Sequence, residues 1–298
     1  GEPADLKTRE LIEMVLDSER PDLVALTGDT LGGKNIDDPA LAFREVVKPI
    51  EKRRIPWAAV FGNHDDEARL SRLELLEVQR SHAFCLSERG PEQLTGVGNY
   101  VLCVAGAREP SLSAALYFLD SNSYSDLGGG QYAWIARDQQ AYYLEQSRKL
   151  QAEYAAGRPD RAAKGRLPAL AFFHIPLPEY DQVWDFEVCR GFKYERVCAP
   201  KLNSGFFAAL VEAGDVMGCF VGHDHVNDYE GELCGIRLCY GRGTGDACYG
   251  RKGFQRGARI IRLREGERGF STWLRLADGT AITDPVVHQP AGRVLSPE

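Results

Sequence analysis

The sequence has little of what membrane-spanning proteins and polyanion-binding proteins need. It contains no run of about 18 or more apolar residues, so we expect no segment to span a bilayer. Its formal net charge is -7, which argues against nucleic acid as a scaffold partner, because binding a polyanion requires a basic surface patch. No signal-like segment is evident, and the sequence leaves both a cytoplasmic and an exported location open, as it does the oligomeric state.

The cysteines also exclude some kinds of site. None of the eight forms a C-x-x-C pair, so neither a zinc ribbon nor a thioredoxin-type site is expected. Cys189 and Cys198 bracket a polar segment; they either form a local disulfide in an exported protein or stay two ordinary thiols. The G-x-S-x-G signature of a serine nucleophile is absent as well.

The order of apolar segments predicts an α/β fold. Strand-like and helix-like segments alternate through the first 80 residues, including a helix over 67–80, as in a sheet with helical crossovers. Two successive strands near 99–107 and 114–121 add an antiparallel part, and 235–276 is rich in strands. With 298 residues and 44% hydrophobic content, the chain can form either one large domain or two small ones, and we favour one. We predict a single domain over 1–276 and a C-terminal tail, 277–298, that wraps the surface as a coil.

Four of the predicted strands end in polar residues of similar kind. In open α/β sheets, sites form at the carboxyl ends of the strands, so these side chains are expected to meet at one edge. The strands and the residues that follow them are "DLVALT" with Gly28-Asp29, "WAAVF" with Gly62-Asn63-His64, "LAFF" with His174, and "CFV" with Gly222-His223-Asp224-His225.

The chemistry of these side chains fits metal ions. Asp, Asn and His supply oxygen and nitrogen donors without thiolate, a set that suits Mn, Fe, Zn or Co. Asp29 can bridge two ions. His223 and His225 are two residues apart, so their rings leave an extended segment on opposite sides and can serve different ions. The glycines that precede the ligands let the backbone turn where a Cβ would obstruct it.

A nucleotide-binding loop is a rival interpretation of the first of these segments. Gly28 to Lys34 matches G-x-x-x-x-G-K after a strand. The next residue is Asn35, where the motif needs Ser or Thr for magnesium, and Asp29 would place a negative charge in the phosphate cradle. We therefore favour the metal site.

The blocks G-D, G-N-H-D, a lone H and G-H-D-H resemble, in this order, the calcineurin-like metallophosphoesterases. The resemblance covers residues 5–262, and stretches such as "VFGNHDDE", "FFHIPLPEY" and "GHDHVNDY" are similar to fungal and plant phosphatases of the purple-acid-phosphatase-like subgroup. It implies a four-layer αββα sandwich, with two mixed β-sheets flanked by helices.

The sequence departs from the family pattern at two positions. Gly32 stands where the purple enzymes carry a tyrosine, so no tyrosinate colour is expected. The D-x-H block that opens the family pattern is absent, and Asp5-Leu6-Lys7 is a poor substitute. Either the sequence lacks its natural N-terminus, which we favour, or the first metal site is incomplete.

The resemblance also implies roles for single residues. Asp29 would bridge two divalent or trivalent ions, Asn63, His174 and His223 would complete one site, and His225 would bind the other ion. His64 would be no ligand. It would sit beside the phosphate with Asn63 and protonate the leaving oxygen, while Asp65 or Asp66 would hold its ring.

Residues that contact the rest of the substrate are less evident. Arg242 lies in the glycine-rich loop 240–253 and either contacts a phosphate or belongs to a solvated turn. Asn122, Tyr124 and Tyr180 are candidates for the rim of the site.

Together these features predict a metal-dependent phosphoric ester hydrolase, either a phosphatase or a phosphodiesterase. We expect in-line attack on phosphorus by a metal-bound hydroxide, with His64 assisting the leaving group. The alternative is a noncatalytic or metal-incomplete module of the same fold.

Overall fold

The computed structural model describes residues 3–107, 111–127, 131–157 and 165–290. Six helices lie in this part of the chain: α1 (Pro3–Glu19), α2 (Pro39–Lys52), α3 (Arg72–Arg80), α4 (Arg137–Gly157), α5 (Glu179–Phe186) and α6 (Phe206–Ala213). The strands are β1 (Val24–Thr27), β2 (Trp57–Val60), β3 (Tyr100–Ala105), β4 (Leu112–Phe118), β5 (Tyr124–Ser125), β6 (Gln131–Tyr132), β7 (Ala169–Phe172), β8 (Cys189–Arg190), β9 (Val216–Val221), β10 (Glu230–Leu233), β11 (Ile236–Tyr240), β12 (Gly257–Leu263), β13 (Phe270–Leu276), β14 (Ala281–Ile282) and β15 (Val287–His288).

The largest sheet has eight strands and is mixed. Its order is β15-β8-β10-β11-β9-β7-β4-β3. The central strands β11, β9, β7 and β4 run parallel, whereas the strands on either side pair antiparallel. The carboxyl ends of β7 and β9 therefore lie side by side.

A second layer of strands packs on one face of this sheet. It consists of the parallel pair β1-β2 and the antiparallel group β12-β13-β14. One apolar core fills the space between the two layers, because alternate residues of each strand point to the same side. This core includes Ala58 and Val60 from β2, Leu116 and Phe118 from β4, and Phe172 and Phe220 from the large sheet, with Ile261 and Phe270 packed against it.

Helices cover the two outer faces. The opposite face of the large sheet, with Tyr117, Ala171 and Val221, packs against α4, α5 and α6 through Tyr143, Val183 and Leu210. The outer face of β2, with Trp57 and Ala59, packs against α1, α2 and α3 through Leu16, Val47 and Leu75. Three cores between four layers are what the predicted αββα sandwich requires, and the fold class is confirmed.

Capping residues explain where two of the helices begin. Asp38 accepts the backbone N–H of Leu41, and Pro39 follows at the first position of α2. Ser71 and Glu74 form a capping box, so α3 begins at Arg72. The predicted start near residue 67 was wrong for this reason.

The tail is more ordered than the predicted coil. After β13, the chain adds β14 to the smaller sheet and then β15 to the edge of the large one. The ring of His288 stacks on Trp184 at 3.7 Å between centroids. The described part of the tail, up to residue 290, thus joins both sheets, and 291–298 lie outside the described residues.

All eight cysteines are free thiols. Cys189 is buried and its Sγ contacts the carbonyl of Val183, while Cys198 lies in another environment beside Asp224. The disulfide that the sequence left open is not formed. No helix in the described part of the chain is long and apolar enough to cross a membrane.

Candidate metal centre

The polar residues that follow β1, β2, β7 and β9 meet at one edge of the molecule. Asp29, His174 and His223 offer donor atoms that all lie within 4.8 Å of one another. β1 and β2 belong to one sheet and β7 and β9 to the other, so the cluster draws on both layers of strands. The sequence prediction of a common edge rested on the four strand ends, and the structure brings their side chains together.

His174 Nε2 lies at the centre of the cluster. Three other donor atoms surround it: Asp29 Oδ2 at 3.0 Å, His223 Nδ1 at 3.1 Å and Asn63 Oδ1 at 3.2 Å. His174 and Asn63 are each only 1% exposed. Four protein donors thus converge on one point, and two of them belong to side chains that are almost fully buried.

The donor atoms of the cluster are stabilised by a positive charge placed between them. His174 Nδ1 donates to the carbonyl oxygen of Thr27 at 2.7 Å, so in the neutral ring Nε2 carries a lone pair. That lone pair faces the oxygens of Asp29 and Asn63, an arrangement of acceptors that only a cation can stabilise. A metal ion or a proton can supply the charge, and the donor set fits a divalent metal of the first transition row.

The pKa values describe the metal-free form of the same site. Burial disfavours the protonated form of His174. The attraction of the Asp29 carboxylate for that form is stronger, so the pKa of His174 is raised. Burial also acts against the Asp29 carboxylate, yet His174 holds the pKa of Asp29 well below its usual range. Burial and the neighbouring His174 lower the pKa of His223 to about 3. His223 is therefore a neutral imidazole, the form that binds metals.

Two candidate ligand residues have left-handed backbone conformations. Asp29 has φ +50° and His223 has φ +70°, values that cost a non-glycine residue about 1 kcal/mol or more. Asp65 stabilises the first of these turns, because its carboxylate accepts the backbone N–H groups of Asp29 (2.9 Å), Leu31 (2.9 Å) and Gly62 (2.7 Å). Burial and the charge of Asp29 raise the pKa of Asp65 to about 6.

The glycines beside the ligands allow close approach of the two loops. A Cβ on Gly62 would lie 2.1 Å from Asp29 Oδ1, and one on Gly28 would lie 2.6 Å from His174 Nδ1. Both distances are shorter than any van der Waals contact. The expectation that glycine is needed before the ligands thus has a steric basis at these two positions.

His64 lies beside the cluster rather than in it. Its backbone N–H donates to Asp29 Oδ1 at 2.8 Å, and its side chain is 45% exposed. Nδ1 is 2.9 Å from Glu67 Oε2, which leaves Nε2 as the ring nitrogen that can reach a ligand.

The predicted partner of His64 was wrong. Asp65 is occupied by backbone N–H groups, and Asp66 pairs with Arg72. Glu67 holds the ring instead, three residues after His64 in the sequence, and that spacing was the signal available. Asp65 is therefore a residue that positions the ligand loops and not one that touches the His64 ring.

His225 lies outside the group of Asp29, His174 and His223. Its ring stacks on Tyr249 at 4.0 Å between centroids, and its Nδ1 lies 3.2 Å from the carbonyl oxygen of Tyr249. That the rings of His223 and His225 serve different ions stays a prediction.

Arg242 does not have the position of a substrate contact. It is 8% exposed and pairs with the buried carboxylate of Asp228. Its Nε donates to the carbonyl of Gln255 at 2.6 Å, and the guanidinium lies 3.3 Å from the ring centroid of Phe254. These contacts use the guanidinium inside the protein, and the predicted phosphate contact is not supported.

Of the three candidate rim residues, Tyr124 alone touches a ligand of the cluster. Its hydroxyl accepts a hydrogen bond from Asn63 Nδ2 at 2.8 Å. Tyr180 is fully buried, and its hydroxyl donates a hydrogen bond to the carbonyl of Cys219. The side-chain amide of Asn122 donates hydrogen bonds to Trp134 and Gln139.

With this geometry in view, comparison with known proteins assigns the chain to a class. The sequence profile of the calcineurin-like phosphoesterases matches residues 5–227. The chain is 38% identical over 293 residues to "Probable inactive purple acid phosphatase 29" of Arabidopsis thaliana, across 92% of this chain and 75% of that protein. The chain belongs to the calcineurin-like phosphoesterase family.

Two further similarities were found, one in sequence and one in fold. Phosphatase DCR2 of Saccharomyces cerevisiae is 36% identical over 92% of this chain and 48% of its own length. Among solved structures, a dimetal phosphatase from Danio rerio matches with a TM-score of 0.61 and 14% identity, over 94% of this chain and 89% of that one. The second similarity shows a shared fold.

Proposed function

We propose that the protein is a metal-dependent phosphoric ester hydrolase. The observation that carries the proposal is the convergence of Asp29 Oδ2, Asn63 Oδ1 and His223 Nδ1 on His174 Nε2 at 3.0–3.2 Å. A site built of oxygen and nitrogen donors at the strand ends of this fold, in a family of phosphoesterases, fits hydrolysis of phosphate esters.

The residues divide into two groups around the metal. Asp29, Asn63, His174 and His223 would hold one ion, and Asp29 with His225 would contribute to a second. When bound, such ions stabilise negative charge on the transferring phosphoryl group and provide a nucleophile from water near neutral pH.

His64 would act on the leaving group. Its ring is partly exposed beside Asp29, and Glu67 fixes the orientation of the ring through Nδ1. Nε2 would then hold a proton at the ester oxygen that departs, the role of a general acid. Its backbone N–H holds Asp29 Oδ1, so the same residue also supports the ligand.

A second candidate is a metal-binding module without turnover. The observation that favours it is the place of His225 outside the cluster, which leaves the second site with fewer described donors than the first. A protein of this kind would bind an ion at the complete site and hold a phosphate there without cleaving its ester.

One experiment separates the two functions. Metal-free protein would be reloaded in turn with Mn²⁺, Fe²⁺, Zn²⁺, Co²⁺ and Mg²⁺, analysed for bound metal, and assayed with aryl phosphate monoesters and diesters. Turnover with at least one bound metal, lost in His174→Ala, is the result expected for the hydrolase. Bound metal without turnover in every case would favour the module.

A further inference from the structure

Asn63 presents a problem of orientation that a carboxylate would not. Its side-chain amide has an oxygen, which can bind a cation, and an NH₂ group, which cannot. A rotation of 180° about the last bond of the side chain exchanges the two ends. For Asn63 to serve as a ligand, some contact must keep Oδ1 turned toward His174.

Tyr124 makes that contact. Its hydroxyl oxygen accepts a hydrogen bond from Asn63 Nδ2 at 2.8 Å, while Oδ1 at the other end of the amide lies 3.2 Å from His174 Nε2. Asn63 is 1% exposed, so its amide depends on protein partners for its hydrogen bonds. In the reversed orientation, the NH₂ group would face the cation.

The hairpin of β5 and β6 holds Tyr124 in place. Tyr124 pairs with Tyr132 across the two strands, and their rings stack at 5.7 Å between centroids with planes 26° apart. The ring of Tyr132 in turn meets His223 edge-on at 4.5 Å. The hydroxyl of Tyr124 is thereby fixed relative to two ligands, although 53% of the residue is exposed.

We propose that Tyr124 is a positioning residue of the metal centre, whose hydroxyl orients the amide of Asn63 so that Oδ1 faces the cation. The proposal rests on the metal site of the proposed function but not on turnover. Partners of this kind, behind a metal ligand, typically contribute about 10- to 100-fold to metal affinity.

The test is a double-mutant cycle read by the affinity for Mn²⁺ or Zn²⁺, measured by isothermal titration calorimetry on the full chain. Tyr124→Phe keeps the ring and its stacking but removes the hydroxyl, and we expect metal to bind about tenfold more weakly. Asn63→Asp offers an oxygen in either orientation, so adding Tyr124→Phe to Asn63→Asp should change the affinity less than twofold.

Tyr132→Phe is the matched control, because it removes a hydroxyl from the same hairpin and keeps the ring on His223. Its metal affinity should stay within twofold of wild type.

The proposal is overturned if Tyr124→Phe binds metal as wild type does, or if its effect is the same in the Asn63→Asp background. If the wild-type protein binds metal but hydrolyses no ester, the proposed function is overturned. The role of Tyr124 is then still decided by the metal affinities of the double-mutant cycle. A wild-type protein that binds no metal would overturn both.

Discussion

Asp65 lies beneath Asp29, and its Oδ2 accepts the backbone N–H of Asp29 at 2.9 Å. The same oxygen accepts the N–H of Gly62 at 2.7 Å, while Oδ1 accepts that of Leu31 at 2.9 Å. One buried carboxylate therefore joins the loop after β1 to the loop after β2. Asp65 supports the candidate metal centre through the backbone of these loops.

Replacing Asp65 should destabilise the fold as well as the site. In Asp65→Ala, three backbone N–H groups lose their acceptor, two of them buried. We expect the free energy of unfolding to fall by about 2 kcal/mol or more, since each unsatisfied buried group costs about 1–3 kcal/mol. Chemical denaturation of the metal-free protein would measure the loss. Asp37→Ala, at an exposed position, is the control and should change stability by less than about 0.5 kcal/mol. Equal stability of the two variants would contradict the role of Asp65.

His64 and the ligand histidines should respond differently to substitution. His174→Ala and His223→Ala remove donors of the cluster, so metal content and turnover should both fall. His64→Gln leaves the cluster intact, so metal content should remain near that of wild type while kcat falls about 10²- to 10⁴-fold. Metal analysis together with steady-state kinetics would test this, and equal metal loss in all three variants would refute the division of roles.

Glycine 62 allows a sharper steric test. A Cβ in Gly62→Ala would lie 2.1 Å from Asp29 Oδ1, so the variant must displace the ligand. We expect metal affinity to fall at least tenfold. Gly32→Ala is a matched control in the loop after β1, because no atom lies within 4 Å of its added Cβ, and it should bind metal as wild type does. Calorimetric titration of both variants decides the matter.

Metal binding should release a proton from His174. Asp29 raises the pKa of His174 in the metal-free protein, so near pH 6.5 the ring carries a proton that a metal ion must displace. Metal affinity should therefore fall as the pH falls through this pKa, and proton release should decline as the pH rises above it. Titrations in buffers of different ionisation enthalpy measure the release directly. A release that grows with pH would indicate deprotonation of another group.

Arg242 should matter for stability and not for substrate. Arg242→Met leaves the buried carboxylate of Asp228 unpaired, which typically costs about 3–5 kcal/mol. KM for an aryl phosphate, measured below the melting temperature, should not change. Arg251→Met is the control, because Arg251 is exposed and contacts the ring of Tyr194, a contact that contributes about 1 kcal/mol at most. A raised KM in Arg242→Met with unchanged stability would restore the original expectation.

The sequence predicted those features that follow from the order and the ends of the strands. Strand periodicity predicted an α/β fold, and the family resemblance implied the αββα sandwich. The polar residues that follow β1, β2, β7 and β9 predicted the place where Asp29, His174 and His223 meet, because parallel strands bring their ends to one edge. Helix α3 was predicted too long, since the capping box of Ser71 and Glu74 outweighed the apolar periodicity before it.

Contacts between distant segments were beyond sequence reasoning. The bond of Tyr124 to Asn63 and the pairing of Arg242 with Asp228 depend on how loops fold back on one another, and no spacing in the chain encodes them. Glu67 was closer to prediction, because a residue three positions after His64 in a turn can reach its ring.

The cluster draws its donors from the ends of strands in two different sheets, with Asp29 and Asn63 on one side and His174 and His223 on the other. A bound ion would therefore cross-link the two sheets. Any sliding of one sheet over the other would stretch its coordination bonds, so the interior of the sandwich and the chemistry at its rim would be mechanically linked.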